Sequence, residues 1–243
     1  MAQQITLYTS KVSTFAHRVE IALALCKVPY TRCEIDLWNK PEWYIPKVNP
    51  LGKVPVIAYG GPAVPPDEPS PLSTKLNESL VLVEFLADLY PASGLLPADP
   101  VLRAKARLFI DAVSTTFLGP ASAGIRGVLH GGGDATPLVR ALEALQALLP
   151  PTGFAIGEFS AADVALAPSL ARVEMTLENN LGEYPAEARE GERILRLIRG
   201  PGLERWAQYT RDVLTHPAVA STFDKEYNLE RANKRIAKLR AEK

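Results

Sequence analysis

Apolar and polar positions alternate with two different periods along this chain. Residues 5–8 (Ile-Thr-Leu-Tyr) read as a short strand. From Thr14 to Cys26 the apolar residues Phe15, Val19, Leu23 and Cys26 recur three and four apart, with Ile21, Ala22 and Leu25 widening the stripe. That spacing predicts a helix. A second strand is predicted over 30–37, a short helix or turn over 41–48, a third strand over 54–59 and a fourth over 72–76. A second long helix begins at Asn77 or Glu78 and runs to Tyr90, where Pro91 ends it.

The order βαβ followed by ββα in residues 1–91 is a thioredoxin-like arrangement. Between its last two strands lies Gly60-Gly61-Pro62-Ala63-Val64-Pro65-Pro66-Asp67-Glu68-Pro69-Ser70-Pro71, whose five prolines exclude regular structure. This reads as an extended surface loop, either a rim of a site or a tolerated insertion. Residues 92–98 form a linker by composition. Beyond it the sequence is rich in Ala, Leu and Arg with no convincing strand. Helices are predicted at about 99–118, 121–130, 134–149, 160–179, 187–199 and 202–214, and 224–243 reads as an amphipathic helix or a disordered tail. The expected fold is therefore an α/β thioredoxin-like N-terminal domain (1–91) followed by an all-α C-terminal domain (99–243).

Composition narrows the function classes. Lys plus Arg and Asp plus Glu number 27 each, so there is no basic excess to suggest nucleic acid. The basic stretch from Arg231 to Arg240 reads as a solvated helix or tail. No run approaches the roughly 18 apolar residues of a membrane span. The opening Met1-Ala2-Gln3-Gln4 lacks the basic and apolar regions of a signal peptide, which leads us to expect a cytoplasmic protein. Cys26 and Cys33 make no disulfide framework, and His17, His130 and His216 are far apart, so no metal is expected.

Four motifs carry chemical interest, each with an ordinary structural reading beside it. Ser13-Thr14-Phe15-Ala16-His17-Arg18 places a hydroxyl at a helix start, where free backbone N–H groups and the dipole favour a thiolate; a serine there also serves as a simple cap. In Asn49-Pro50-Leu51-Gly52-Lys53-Val54-Pro55-Val56, Pro55 opens a strand. A cis Val54–Pro55 bond would expose the Val54 backbone to an extended peptide, and an edge strand tolerating proline is the other explanation. Asn77-Glu78-Ser79 starts the second long helix and can hold an amine and a carboxylate, or merely cap. Ser160-Ala161-Ala162-Asp163 has the form of a capping box and is assigned to folding.

Taken together and in order, these signals resemble the glutathione transferase family over essentially the whole chain, and within it the omega-like enzymes of fungi. The resemblance rests on Ser13-x-Phe15-x-x-Arg18, Asn39-Lys40-Pro41-Glu42-Trp43, Asn49 to Pro55, Glu78-Ser79 and Ser160-x-x-Asp163. It implies glutathione as co-substrate, lying extended along the first domain. Lys40 and Lys53 would face its glycyl carboxylate, and the Val54 backbone ahead of Pro55 would pair with its cysteinyl part. Glu78 and Ser79 would hold the γ-glutamyl end, and Phe15 would pack near the sulfur. The resemblance also implies a homodimer and a hydrophobic or aromatic second ligand between the domains, with Phe109, Val113, Phe117, Ile125, Leu129, Met175, Trp206 and Tyr209 as wall candidates, although structural core is the better reading for most of them. Gly119-Pro120 and the glycines after it suggest a flexible part of that wall.

One position departs from the pattern. Omega enzymes usually place a cysteine where this chain has Ser13, and a hydroxyl forms no mixed disulfide. Ser13 is expected instead to donate a hydrogen bond to the glutathione sulfur and stabilise the thiolate. The expectation is a serine-type transferase without thiol transferase activity, or else a largely non-catalytic protein that binds aromatic or polyphenolic compounds.

Overall fold

The computed structural model describes residues 3–118 and 123–241, the side chains of Ala123 and Gly124 aside. The chain divides into two compact units, Met1–Leu96 and Pro97–Lys243.

In the first unit β1 (Ile5–Thr9) is buried at every position, the mark of a central strand covered on both faces. It pairs in parallel with β2 (Thr31–Glu34) and antiparallel with β3 (Val56–Tyr59), which pairs antiparallel with β4 (Thr74–Asn77), giving the order β2-β1-β3-β4. One side of the unit holds α1 (Thr14–Cys26), which packs against α3 (Ser79–Leu89). On another, Tyr8, Ile35, Tyr44, Val48, Val56 and Ala58 form a buried cluster that includes the short α2 (Tyr44–Lys47).

Three predicted strands were longer than those observed. β3 starts at Val56 because Pro55, joined to Val54 by a cis bond, has no N–H to enter the ladder. β4 starts at Thr74 because a turn closes just before it, with the Ser73 N–H donating to the Ser70 carbonyl at 3.1 Å. The ladder of β2 ends at Glu34, paired with Thr9 at the end of β1.

The proline-rich stretch has no regular structure, as its composition requires, but it packs closely. The Tyr8 hydroxyl donates to the Pro66 carbonyl at 2.7 Å. Val64, Pro65, Pro66 and Pro69 close over Thr6 and Ala58, leaving a cavity of about 10 Å³, room for roughly one water. Lys47 and Lys75 tie the loop further by donating to the Asp67, Ser70 and Ser73 carbonyls. Burial pushes the Tyr8 phenol up to about 12, so it remains a donor at any physiological pH. The loop is a covering layer of the sheet.

The second unit is helical: α4 (Pro100–Ala112), continued by a π-turn (Val113–Phe117), α5 (Ala123–Gly131), α6 (Thr136–Gln146), α7 (Ala161–Glu178), α8 (Glu190–Ile198), α9 (Glu204–Thr215), α10 (Pro217–Ala220) and α11 (Lys225–Ala241). The Gly119-Pro120 break lies outside the described residues. The last stretch is the helix α11, held by Arg240 donating to the Gly182 and Asn180 carbonyls at 2.9 and 3.3 Å. Every residue of α7 from Ala161 to Ala171 is buried, Pro168 included, so α7 is the axis on which α4, α5, α8, α9 and α11 pack.

Its N-terminus depends on Asp163. This carboxylate accepts from the Ala155 and Ser160 N–H groups and from the Tyr209 hydroxyl, each at 2.9 Å, completing the capping box with Ser160. Nearby, His216 caps α10: its Nδ1 accepts the Ala218 N–H at 3.3 Å while its ring stacks on Phe159 at 3.8 Å. That bond needs a neutral imidazole, and burial holds the group below its ordinary value.

Two measurements check these contacts. Asp163→Ala takes the acceptor from the Ala155 and Ser160 N–H groups and from the Tyr209 and Ser160 hydroxyls and should cost on the order of 3 kcal/mol, read as a fall in Tm and in the denaturant midpoint. The His216 ring protons should titrate below ~6.5 by NMR. With the folded-state value depressed, the unfolded chain binds more protons, so this contribution is fully present above ~6.5 and is lost as pH falls through the folded value. Titration above ~6.5 would contradict the cap.

Candidate functional site

The strand register brings three separated motifs to one edge of the first unit. Tyr8 is opposite Val56, and Val56 is opposite Asn77. β1 therefore ends, β3 begins and β4 ends at the same place. Ser10–Ser13 follows β1, Val54–Pro55 precedes β3, and Glu78–Ser79 follows β4.

Ser13 is the N-cap of α1, with extended backbone (φ −80°, ψ 117°), and its Oγ accepts the Ala16 N–H at 3.1 Å. Accepting that bond leaves the hydroxyl proton for a partner outside the helix. Phe15, one residue into α1, is half exposed at 51%. It lies under the Arg18 guanidinium, 5.2 Å from ring centroid to Cζ.

Arg18 is 3% exposed and donates from Nη1 to the Ser79 Oγ at 3.1 Å. One buried cation thus connects Phe15 on α1 to the first turn of α3. Burial lowers its guanidinium to about 10, still charged at neutral pH. Ser79 is itself buried, while Glu78 is exposed. Glu78 has φ 68° and ψ 109°, a region that L-residues rarely occupy.

Lys40 and Lys53 are exposed cations flanking the Asn49–Lys53 turn. The Gly52 N–H donates to the Asn49 carbonyl at 2.8 Å, and Gly52 takes φ +64°. That conformation suits glycine, and the Lys40 stem lies over it, with Cε 3.9 Å from where a Cβ would stand. The Lys40 Nζ donates to the Leu37 carbonyl at 3.0 Å. Two buried side chains hold the next carbonyl: the Tyr44 hydroxyl and the Asn49 Nδ2 donate to Lys53 O at 2.7 and 2.9 Å. The peptide leading to Val54 and cis Pro55 is thereby oriented from below. The edge combines two flexible cations, a carboxylate, hydroxyls, a helix N-terminus and an open strand start.

Residues 12–89 match the model described as "Glutathione S-transferase, N-terminal domain", and residues 133–209 match the corresponding C-terminal domain. A rice protein (Oryza sativa subsp. japonica) described as a probable cytosolic glutathione S-transferase, DHAR1, is 32% identical over 69% of this chain and 70% of its own length. The crystal structure of glutathione transferase Omega 1C from Trametes versicolor aligns with a TM-score of 0.91 and 49% identity over 98% of each chain. Omega 2C from the same fungus gives 0.90 and 52% over 97% of this chain and 99% of that one. The chain belongs to the glutathione S-transferase family. Its likeness to the Trametes enzymes makes it omega-like. Against pyrimidodiazepine synthase of Drosophila melanogaster, 36% identical, the match spans only 40% of that enzyme.

Within this transferase, Ser13, Phe15, Val54, Pro55, Glu78 and Ser79 converge through the register, and Lys40 and Lys53 join through the Gly52 turn. The wall candidates are placed differently. Phe109, Val113, Phe117, Ile125, Leu129, Met175, Trp206 and Tyr209 are all buried. Tyr209 belongs to the α7–α9 core: it is fully buried and its hydroxyl is taken by Asp163. Helical spacing selects inward-facing apolar residues, in keeping with the core reading of these positions. The backbone N–H of Trp206 donates to Gln146 Oε1 at 2.8 Å, and its side chain is buried.

Sequence reasoning missed the supports Tyr44 and Asn49 and used Arg18 only as part of a motif. Arg18 was detectable as a cation inside the apolar stripe of α1. Asn49 was detectable as an Asx-turn residue before Pro-x-Gly. Nothing local marks Tyr44.

The backbone at Glu78 makes a stability prediction. A residue at that φ carries strain of about 1–3 kcal/mol, which glycine relieves while adding a flexibility cost of about 0.5–1 kcal/mol. Glu78→Gly should therefore melt at or above the parent temperature in calorimetry. A clear fall would mean that the Glu78 side chain supports the fold.

Proposed function

We propose that this protein binds glutathione at the edge described above and conjugates it to hydrophobic electrophiles, with Ser13 stabilising the glutathione thiolate. The observation that carries this is the Ser13 hydroxyl, anchored as an acceptor by Ala16 N–H at a helix N-terminus and left to donate outward. Lys40 and Lys53 face the glycyl carboxylate, the Val54 backbone pairs with the cysteinyl amide, and Glu78 takes the γ-glutamyl ammonium. The α3 N-terminus at Ser79 takes the α-carboxylate. Phe15 shields the sulfur. A free thiol has a reference value of ~8.5, and a hydrogen bond to its charged form lowers it.

The thiol proton leaves to water as the thiolate forms. Sulfur then gives its electron pair to an electrophilic carbon, a C–S bond forms, and the leaving group departs with the pair of its broken bond. The enzyme contributes position and electrostatic stabilisation.

The two cysteines supply no alternative nucleophile. Burial raises the Cys26 thiol, which sits at the last residue of α1. Burial, with Asp67 and Glu34 nearby, raises Cys33 in β2. Both are protonated at neutral pH, which supports loss of thiol transferase activity. The family likeness also leads us to propose a cytoplasmic homodimer.

A second reading, a ligand-binding protein with little turnover, has one observation in its favour. Omega 2S from Trametes versicolor, 45% identical with a TM-score of 0.85 over 96% of this chain, has a structure in complex with 2,4-dihydroxybenzophenone.

Rates with several electrophiles, measured beside binding of hydrophobic fluorophores, separate the two readings. Ser13→Ala should lower kcat/KM for conjugation about 10- to 100-fold, and Ser13→Cys should gain thiol transferase activity. Unchanged conjugation in Ser13→Ala would remove Ser13 from the mechanism. Tight fluorophore binding without conjugation would favour the ligand-binding reading.

A further inference from the structure

The turn that presents Ser13 is tied to the sheet by side chains that no motif singled out. Locally it is closed by the Ser13 N–H donating to the Ser10 carbonyl at 2.9 Å. One link outward is the Lys11 N–H, which donates to the Glu34 Oε1 at 2.9 Å. Glu34 ends β2 opposite Thr9, and the next N–H, that of Ile35, donates to the Thr9 carbonyl at 2.8 Å. The other oxygen of Glu34 lies 2.7 Å from Arg32 Nη2. Arg32 also donates from Nε and Nη2 to Glu20 Oε1 on α1, at 3.2 and 3.0 Å. That same Glu20 oxygen accepts the Thr9 hydroxyl at 2.9 Å.

The chain Lys11–Glu34–Arg32–Glu20–Thr9 therefore closes a ring through β1, β2 and α1, around the segment that carries Ser13. Its members differ in burial. The Glu20 side chain is 7% exposed and fixed, whereas those of Arg32 and Glu34 are 33% and 39% exposed. A half-exposed ion pair adds little to global stability. What Glu34 does that Arg32–Glu20 does not is hold a backbone N–H two residues before Ser13.

We infer that Glu34 is a positioning residue for Ser13: through Lys11 N–H it sets where the hydroxyl points, and so how far the bound thiol is acidified. The inference rests on the thiolate role proposed for Ser13. It assigns to Glu34 an acceptor function, not a charge function, because the contact is a hydrogen bond to a neutral backbone group.

The test is the pH midpoint of thiolate absorbance in the protein–glutathione complex, with glutathione affinity from calorimetry. Glu34→Ala removes the acceptor and should raise the midpoint by about half a unit to one unit, the equivalent of one ordinary hydrogen bond. Glutathione affinity should stay within about two-fold, because Lys40, Val54 and Glu78 are untouched. Glu34→Gln keeps a side-chain oxygen and should restore the midpoint. Far-UV circular dichroism confirms that both variants are folded. An unchanged midpoint in folded Glu34→Ala overturns the assignment, as does a Glu34→Gln variant shifted as far as Glu34→Ala. Ser13→Ala is the control: if it leaves the midpoint where it was, the Ser13 reading itself falls. If Ser13→Ala raises the midpoint and Glu34→Ala does not, only the role of Glu34 falls.

Discussion

The antiparallel pairing of β3 with both β1 and β4 is the constraint on which the candidate site depends. Because Tyr8, Val56 and Asn77 share one row of the sheet, the end of β1, the start of β3 and the end of β4 fall together. A slip of one residue would turn the affected strand's side chains to the opposite face. It would also shift Val54 along the edge relative to Ser13 and Glu78. The covered faces resist such a slip, since β1 is buried at all five positions and Val56, Ile57 and Ala58 are buried on β3. Packing of the sheet and placement of the site are thus one requirement.

Around that edge the chain uses buried polar groups as fixed supports for exposed ones. Arg18 lies under Phe15 and holds Ser79; Tyr44 and Asn49 hold the Lys53 carbonyl. Each support is nearly inaccessible and has answered hydrogen bonds, which is how a buried polar group avoids its desolvation penalty. The groups offered outward are Lys40, Lys53 and Glu78, all exposed. The second unit uses the same device for a different purpose: Asp163 gathers donors from three segments and fixes the start of α7. One arrangement supports the exposed groups of the candidate site, and the other builds a core.

At Ser13 the chemistry turns on the difference between oxygen and sulfur. A cysteine at this helix start would become a thiolate and exchange disulfides, while a serine remains neutral and offers one proton. The remaining thiols lie in apolar or acidic surroundings that keep them protonated. Under the proposed function, thiolate chemistry here belongs to the bound tripeptide.

The sequence alone determined the two-part architecture, the span of α1 to the residue, the later helices within a few residues, and the motifs flanking the site. Those features follow from local periodicity, caps and prolines, which act over a few neighbouring positions. It left open whether Val54–Pro55 is cis and whether Tyr209 lines a ligand wall or belongs to the core, because an apolar stripe shows which side of a helix is inward but not what it meets. Only the tertiary structure decided that the proline-rich loop roofs the sheet, that Arg18 spans two helices, and that Glu34 reaches the turn before Ser13. Each of these is a contact between residues distant in sequence, set by strand register and by the desolvation of particular polar groups, and neither is written in any local pattern.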